Sequence, residues 1–295
     1  MAGRYASATQ VESGLLRLVA PNPSPMTAEG TNSFVLGGDD VAVIDPGPAI
    51  ASHLDAIVAA VAGRPVRAVL VTHPHLDHSP GARALARRLG APVLAFGPPD
   101  AGRTPLMRSL QGLNGGEGVD EGFRPDATLA DGEHVGGDGW RLRALHTPGH
   151  MASHLAFEWV EARAVFTGDV VMGWASTMIS PPDGDLGQFM ATLDRLEALD
   201  ARRFHPGHGA PVDAPAARCR LLREHRLARE AAILATLGRA ATIPALVEAV
   251  YGDTPPALRG AAARNVLAHL LALLEREVVG ADPAPGPAAT WRRLR

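Results

Sequence analysis

Lysine is missing from this chain: all 28 basic residues are arginine, set against 31 acids for a formal charge of −3. A polyanion track needs clustered cations, and the material for one is thin. Residues 1–209 carry 16 arginines against 23 acids and residues 210–295 carry 12 against 8, so only the C-terminal portion is basic, and weakly. Cysteine is reduced to Cys219, which excludes a disulfide framework. Tyrosine occurs only as Tyr5 and Tyr251, leaving the central region no phenol to polarise a substrate carbonyl. The first thirty residues hold no apolar run long enough for a signal peptide or a membrane span, so the expected location is cytoplasmic, with no membrane partner. At 295 residues and 46% hydrophobic, the chain suffices for one large core and a small second domain. The alanine, glycine and proline that accompany the missing lysine are read as genomic bias, without functional content.

What is present is a set of metal-liganding side chains. Thr72-His73-Pro74-His75-Leu76-Asp77-His78 follows the apolar run from Val66 to Val71, which reads as a buried strand. Ser79 is expected to cap a helix with Pro80 at its first position, placing the cluster on a turn. A turn lets His73, His75, Asp77 and His78 converge, whereas a straight strand would send Asp77 and His78 to opposite faces. Three more segments, His146-Thr147-Pro148-Gly149-His150, Thr167-Gly168-Asp169 and His205-Pro206-Gly207-His208-Gly209, set His150, Asp169 and His208 beside glycine or proline, as in tight loops at strand ends. Zinc favours imidazole and carboxylate ligands in small coordination numbers, and five of these seven groups are imidazoles. Two zinc ions suit the supply better than one.

These motifs resemble those of the metallo-β-lactamase superfamily, over about residues 15–213, with T-H-x-H-x-D-H, T-P-G-H, T-G-D and P-G-H-G complete and in order. The resemblance implies an α/β fold, a four-layer αββα sandwich with the site at one edge between two sheets. It implies His73, His75 and His150 on one metal, Asp77, His78 and His208 on another, and Asp169 between them. Histidine at position 75, where the redox di-iron branch has glutamate, argues for hydrolysis. Cys219 lies outside every motif, so the cysteine-ligand antibiotic hydrolases match poorly, and the lack of a central tyrosine separates the chain from the lactone-cleaving branch. The oxyanion would then lean on a metal, a backbone amide or a histidine such as His154.

Along the chain, Phe34-Val35-Leu36 and Val41 to Ile44 read as a hairpin, followed by a helix from Ile50 to Val61, a helix over residues 80–90 and a strand from Pro92 to Phe96. Asp45 reads first as a turn former and second as a partner for a ligating imidazole. The stretch from Gly97 to Pro125 is long and irregular; Arg103, Met107 and Arg108 line a pocket or lie on the surface. Thr128 to Val135, Trp140 to Leu145, His154 to Trp159 and Ala164 to Phe166 read as strands, and Leu186 to Leu199 as a helix. Trp174, Ser176, Thr177 and Met178 follow Asp169 closely and, with His154, are candidate substrate contacts. His134, His225 and His269 are expected at the surface, and His146 and His154 behind the ligands.

Three domains are expected: residues 1–213 catalytic, 214–280 winged-helix-like and 281–295 a flexible tail. Helices are expected from Arg218 to Leu237, Ile243 to Tyr251 and Ala257 to Glu277, the last with Leu258, Ala262, Val266, Leu270 and Leu273 on one face. That face is expected to pack on the core or on a second subunit, as a homodimer. This end resembles the superfamily's β-lactamase-like protein 2 group, with its C-terminal winged helix capping the cleft. The expected function is a metal-dependent hydrolase in which zinc acidifies a bound water to hydroxide and Asp77 orients it, acting on an ester, thioester, lactam or phosphodiester. Its partner is a small-molecule substrate or, for an endoribonuclease, single-stranded RNA. A nucleic-acid-binding regulator with a structural metal site ranks last, because the third helix offers only Arg259, Arg264, Asn265 and His269 as readers.

Overall fold

Alternation along the strands dictates the layers. In the computed structural model, which describes residues 7–110, 113, 118–238 and 240–294, Phe34, Leu36, Ala42, Ile44, Ala68 and Leu70 point one way, while Val35, Val41, Val43 and Val69 point the other. A strand with apolar side chains on both faces must be covered on both. The first sheet comprises β1 (Thr9–Glu12), β2 (Leu15–Val19), β3 (Asn32–Gly37), β4 (Val41–Ile44), β5 (Val66–Leu70), β6 (Val93–Ala95) and β7 (Ala127–Thr128), in that spatial order. Its outer face is covered by α1 (Ala51–Val61) and α2 (Ala82–Leu89) through Leu54, Ile57, Val61 and Leu85. The second sheet, ordered β12-β11-β10-β9-β8, comprises β8 (His134–Gly137), β9 (Trp140–His146), β10 (Leu155–Trp159), β11 (Ala164–Gly168) and β12 (Arg203–Pro206). Leu155, Phe157 and Phe166 meet the first sheet, whereas Ala156, Val165 and Phe204 meet the helices α4 (Leu186–Glu197) and α5 (Pro215–Thr236) on the other side. The result is the αββα sandwich.

Two local expectations change. Thr128 to Val135 is not one strand: Thr128 pairs with Ala95 in the first sheet, and after a turn at Gly132, in the left-handed region, His134 pairs with Arg143 in the second. Ser79 does not cap a helix either. α2 starts at Ala82 after Gly81, and the Ser79 hydroxyl donates to Asp120 at 2.8 Å, tying the metal loop to the chain beyond it.

The C-terminal unit packs the end of α5, through Ile233 and Leu237, against α6 (Ile243–Tyr251), α7 (Arg259–Glu275) and a small sheet of β13 (Ala241–Thr242), β14 (Val279–Asp282) and β15 (Thr290–Arg293). Cys219 and Leu222, near the start of α5, belong to the catalytic core, so the helix serves both cores. Leu258 is exposed, while α7 is buried on most sides, including His269 at 1% exposure, which sequence placed on the surface. His134 and His225 are exposed. Within the Gly97 to Pro125 stretch, α3 (Pro105–Ser109) inserts Met107 into the winged-helix core, Arg103 pairs with Asp183, and Arg108 is exposed. Tyr5 lies outside the described residues.

The tail from Ala281 corrects most sharply. Residues 279–293 form a hairpin, with Ala281 opposite Trp291, because that tryptophan carries enough apolar surface to hold the wing down, and it is fully buried. Trp291→Ala is expected to cost about 3–5 kcal/mol of stability. Equilibrium denaturation checks this, and an unchanged midpoint would restore the flexible tail.

Candidate metal centre

Strand ends and glycines build the site. β5 stops at Leu70, and the loop beyond it is held from beneath by Asp45, whose carboxylate accepts from Thr72 N at 2.8 Å, Thr72 Oγ1 at 2.7 Å and His78 Nδ1 at 2.9 Å. Asp45 lies in the left-handed region at φ 47° and is buried, so it is both the turn former and the imidazole partner. At the end of β11, Gly168 leaves no room for a side chain: a Cβ would stand 2.5 Å from His154 Nε2 and 2.9 Å from Thr72. A Cβ on Gly207 would meet Asp169 Oδ1 at 2.5 Å. The loop bearing His208 is pinned to the first sheet by Asn32, whose amide donates to Pro206 O and Gly209 O, both at 2.9 Å.

The structure brings the seven candidate ligands together in two groups: His73, His75 and His150, and Asp77, His78, Asp169 and His208. His73 Nε2 lies 2.9 Å from His75 Nδ1, which lies 3.1 Å from His150 Nε2. In the other group His78 Nε2 and His208 Nε2 are 3.3 Å apart, and Asp77 Oδ2 is 3.1 Å from the latter. Asp169 Oδ2 reaches both groups, 3.3 Å from His208 Nε2 and 3.8 Å from His150 Nε2. The far ring nitrogens fix the tautomers. His78 Nδ1–H donates to Asp45, His150 Nδ1–H to Met178 O at 2.8 Å and His208 Nδ1–H to Gly30 O at 3.2 Å, so each Nε2 presents a lone pair inward.

Lone pairs facing one another at these distances, with Asp169 Oδ1 buried and without a hydrogen-bond partner, fit cations between them. Charge agrees. Burial foremost, aided by neighbouring imidazoles, holds His73 neutral and takes His75 down to about 3. In the second group burial also opposes charge, but Asp77 and Asp169 overcome it, raising His78 well above its usual range and His208 to about 9. Asp77 resists burial through His78 and His208 and falls to about 2, so it is a carboxylate at neutral pH.

The candidate substrate contacts divide. Trp174, Ser176 and Met178 line a cleft over the two groups, with Pro25, Met26 and Thr27 opposite. His154 and Thr177 do not reach it. His154 is fully buried, its ring 5.1 Å from that of His73, with Nδ1 on Thr147 Oγ1 at 2.9 Å and Nε2 accepting from Asp169 N at 3.3 Å; it packs behind the ligands and cannot meet an oxyanion. Thr177 is also buried, its hydroxyl donating to Asp169 O at 2.7 Å. His146 stacks on Phe96 and bonds Ala152 O at 2.8 Å. Met26, half exposed at the mouth, was not foreseen, since a lone methionine in a Pro/Ser-rich stretch carries no motif.

Asp45 supplies a test. Asp45→Asn keeps the shape but weakens the grip on His78 Nδ1–H, and metal affinity is expected to fall about 10–100-fold. Competitive chelator titration measures it, and unchanged affinity would leave Asp45 as a turn residue alone.

Residues 26–208 match the metallo-β-lactamase superfamily, and residues 242–291 the β-lactamase-associated winged helix domain. A Caenorhabditis elegans β-lactamase-like protein 2 homolog is 30% identical over 92% of this chain and 87% of its own. An atrochrysone carboxyl ACP thioesterase from Aspergillus fumigatus is 30% identical over 82% of this chain and 74% of its own. The crystal structure of a metallo-β-lactamase family protein from Thermus thermophilus superposes with a TM-score of 0.76 at 28% identity, covering 97% of this chain and 100% of that one. The ligand motifs sit at one edge of the sandwich, and the winged helix closes the chain: this protein belongs to the metallo-β-lactamase superfamily.

Proposed function

We propose that this hydrolase uses a pair of zinc ions to cleave the thioester or ester of a carboxylic acid with an apolar acyl group. The observation that carries the reading is the cleft itself. Of about 240 Å³, it sets Pro25, Met26, Met172, Trp174, Ala175 and Met178 around the donor groups, and no arginine among the described residues lines it. The nearby arginines are spent on the wall's backbone: Arg218 donates to Met172 O at 2.7 Å and Ala175 O at 2.6 Å, and Arg226 donates to Thr177 O. Single-stranded RNA calls for cations along its phosphates, and this cleft supplies none. The third-helix readers are also engaged elsewhere. Arg259 pairs with Glu248 at 3.3 Å at the exposed start of α7, Arg264 donates to Ser180 Oγ, Asn265 meets Arg226 and Ile179 N, and His269 is buried, so α7 offers little polar surface to a groove. One relative named a thioesterase supports the acyl reading.

His73, His75 and His150 would hold one ion, Asp77, His78 and His208 the other, with Asp169 shared. When bound, such ions supply Lewis acidity toward a carbonyl oxygen and bring water near neutral acidity. This chain's own groups do the rest. Asp77, partly exposed to the cleft and ionised, accepts a proton from the attacking water. The water oxygen bonds to the acyl carbon, the carbon–sulfur or carbon–oxygen bond breaks, and that proton passes to the departing thiolate or alkoxide. The apolar wall orients the acyl chain and excludes bulk water. Tyr251 cannot assist a carbonyl, since it lies on α6 with Arg229 over its ring at 4.8 Å.

Elemental analysis is expected to find close to two zinc ions per chain, and chelation to lower the melting temperature, because a ligand of the native state stabilises it by mass action. Asp77→Asn is expected to reduce turnover at least about a hundredfold with metal content retained. The deciding assay offers octanoyl and acetyl thioesters, the matching oxygen esters, a lactam and single-stranded RNA to the zinc-loaded and chelated protein. Octanoyl substrates are expected to be preferred, and Trp174→Ala to raise KM for octanoyl more than for acetyl. Turnover of RNA with none of any acyl substrate would overturn the reading.

A further inference from the structure

Trp174 lines two hollows. One is the catalytic cleft; the other, of about 330 Å³, is walled by Arg17, Val19, Ala28, Asn32 and Ala210 together with the backbone of Gly30 and Gly209. The indole, 44% exposed, packs on Gly209, where a Cβ would stand 2.7 Å from its Cδ1, and so lies between the two. The second hollow begins close to the donor groups: Gly209 follows the candidate ligand His208, and Gly30 O accepts from His208 Nδ1–H. What it adds is a cation. Among the described residues no arginine lines the cleft, whereas Arg17, on β2, faces the second hollow. Arg17 is weakly held there. Its Nη1 reaches Gly209 O at 3.5 Å, near the limit of a hydrogen bond, and that carbonyl already accepts from Asn32 at 2.9 Å. Nε is buried, but Nη2 is not, and no described residue accepts from it. Arg203, by contrast, has Glu12 and Asp213, and Arg218 has two backbone carbonyls. Glu29, on the same wall, is exposed, where water screens its charge.

We propose that the second hollow receives the departing arm of the substrate, and that this arm ends in an anion, a carboxylate or a phosphate, which accepts from Arg17 Nη2–H. The inference rests on the acyl reading above and supplies the other half of the molecule. The acyl chain lies on Pro25, Met172 and Met178, the scissile carbonyl at the donor groups, the arm across Trp174 and the anion on Arg17. A hydrocarbon chain gains nothing beside a cation, which assigns the apolar side to the acyl group and the charged side to the arm. One guanidinium suits one anion and is no track for a chain of phosphates. Arg17 positions and selects; the water oxygen still bonds to the acyl carbon, and the carbon–sulfur or carbon–oxygen bond still breaks at the donor groups. With Gly209 one residue from His208, the guanidinium is on the order of 10 Å from those groups, a span that an arm of about six carbons covers.

The test offers the zinc-loaded full chain octanoyl thioesters of 6-mercaptohexanoate, 6-mercaptohexyl phosphate and 6-mercaptohexanamide, the last a neutral arm of matched length. A fourth substrate, the octanedioic acid monothioester of 6-mercaptohexanamide, carries its anion on the acyl end instead. At least one anionic arm is expected to exceed the amide about tenfold in kcat/KM, with the gain shrinking at high salt, and the acyl-end carboxylate to give no gain. The non-hydrolysable thioether 6-(octylthio)hexanoate is expected to bind about tenfold more tightly than its amide by calorimetry, which reads the same contact without turnover. Arg17→Gln is expected to bring both ratios to about one. Ala210→Glu, at an exposed position, sets a carboxylate in the hollow and gives the answer if Arg17→Gln does not fold. Cleavage of the amide arm as readily as both anionic arms would overturn the inference and leave the acyl reading standing. So would a preference that survives both variants, or a gain that follows the acyl-end carboxylate. Cleavage of none of the four thioesters would overturn the acyl reading itself, and the inference with it.

Discussion

Lone pairs that point at one another repel, and most of the catalytic unit is arranged to hold seven such donors together. Each inward nitrogen of His78, His150 and His208 is aimed by a hydrogen bond on the far side of its ring, to Asp45, Met178 O and Gly30 O. Those acceptors come from three different stretches of chain, which only the closed sandwich brings into register. The strain at Asp45, on the order of 1 kcal/mol for a left-handed residue, is offset by three hydrogen bonds to one carboxylate. Glycine at 168 lets backbone pass where a side chain would strike His154 and Thr72, and glycine at 207 where one would strike Asp169 and His78. The site is thus a property of strand ends, and the helices outside the sheets serve to keep those ends still.

The convergence of the seven candidate ligands was legible because each sits in a short motif whose chemistry is local: histidines and aspartates beside turn formers. The layers were legible too, once the family resemblance supplied what sits outside the sheets, since the strands are apolar on both faces. What escaped was set by distant parts of the chain. His154 and Thr177 stand in sequence beside ligands, yet both turn inward, one to Thr147 and the other to Asp169 O. His269 looked like a surface residue because its neighbours in sequence carry no motif, and only the packing of α4 and α5 over α7 buries it. The wing is expected to begin at Val278-Val279, but its second half reads as a flexible tail because alanine and proline dominate it, and one tryptophan outweighs them. Thr128 to Val135 reads as one strand although Asp131-Gly132 is a turn dipeptide, and the chain leaves one sheet for the other there.

Two arginines illustrate how this chain uses its only basic side chain. Arg218 and Arg226 both donate to carbonyls in the 172–177 segment. A planar guanidinium reaches two acceptors at once, which a lysine ammonium does less well. The cleft wall is therefore backed by α5 and does not stand alone as a loop, and its shape depends on a helix that itself never touches the cleft.

That helix, α5, has the catalytic core at one end and the winged-helix core at the other, with no joint between them. Two domains strung on a loose linker melt one after the other, whereas two that share a continuous helix lose hydrogen bonds in common. The border between the units is thus a matter of ancestry more than of mechanics. A single cooperative transition would couple damage in the wing to loss of the catalytic core's order some distance away.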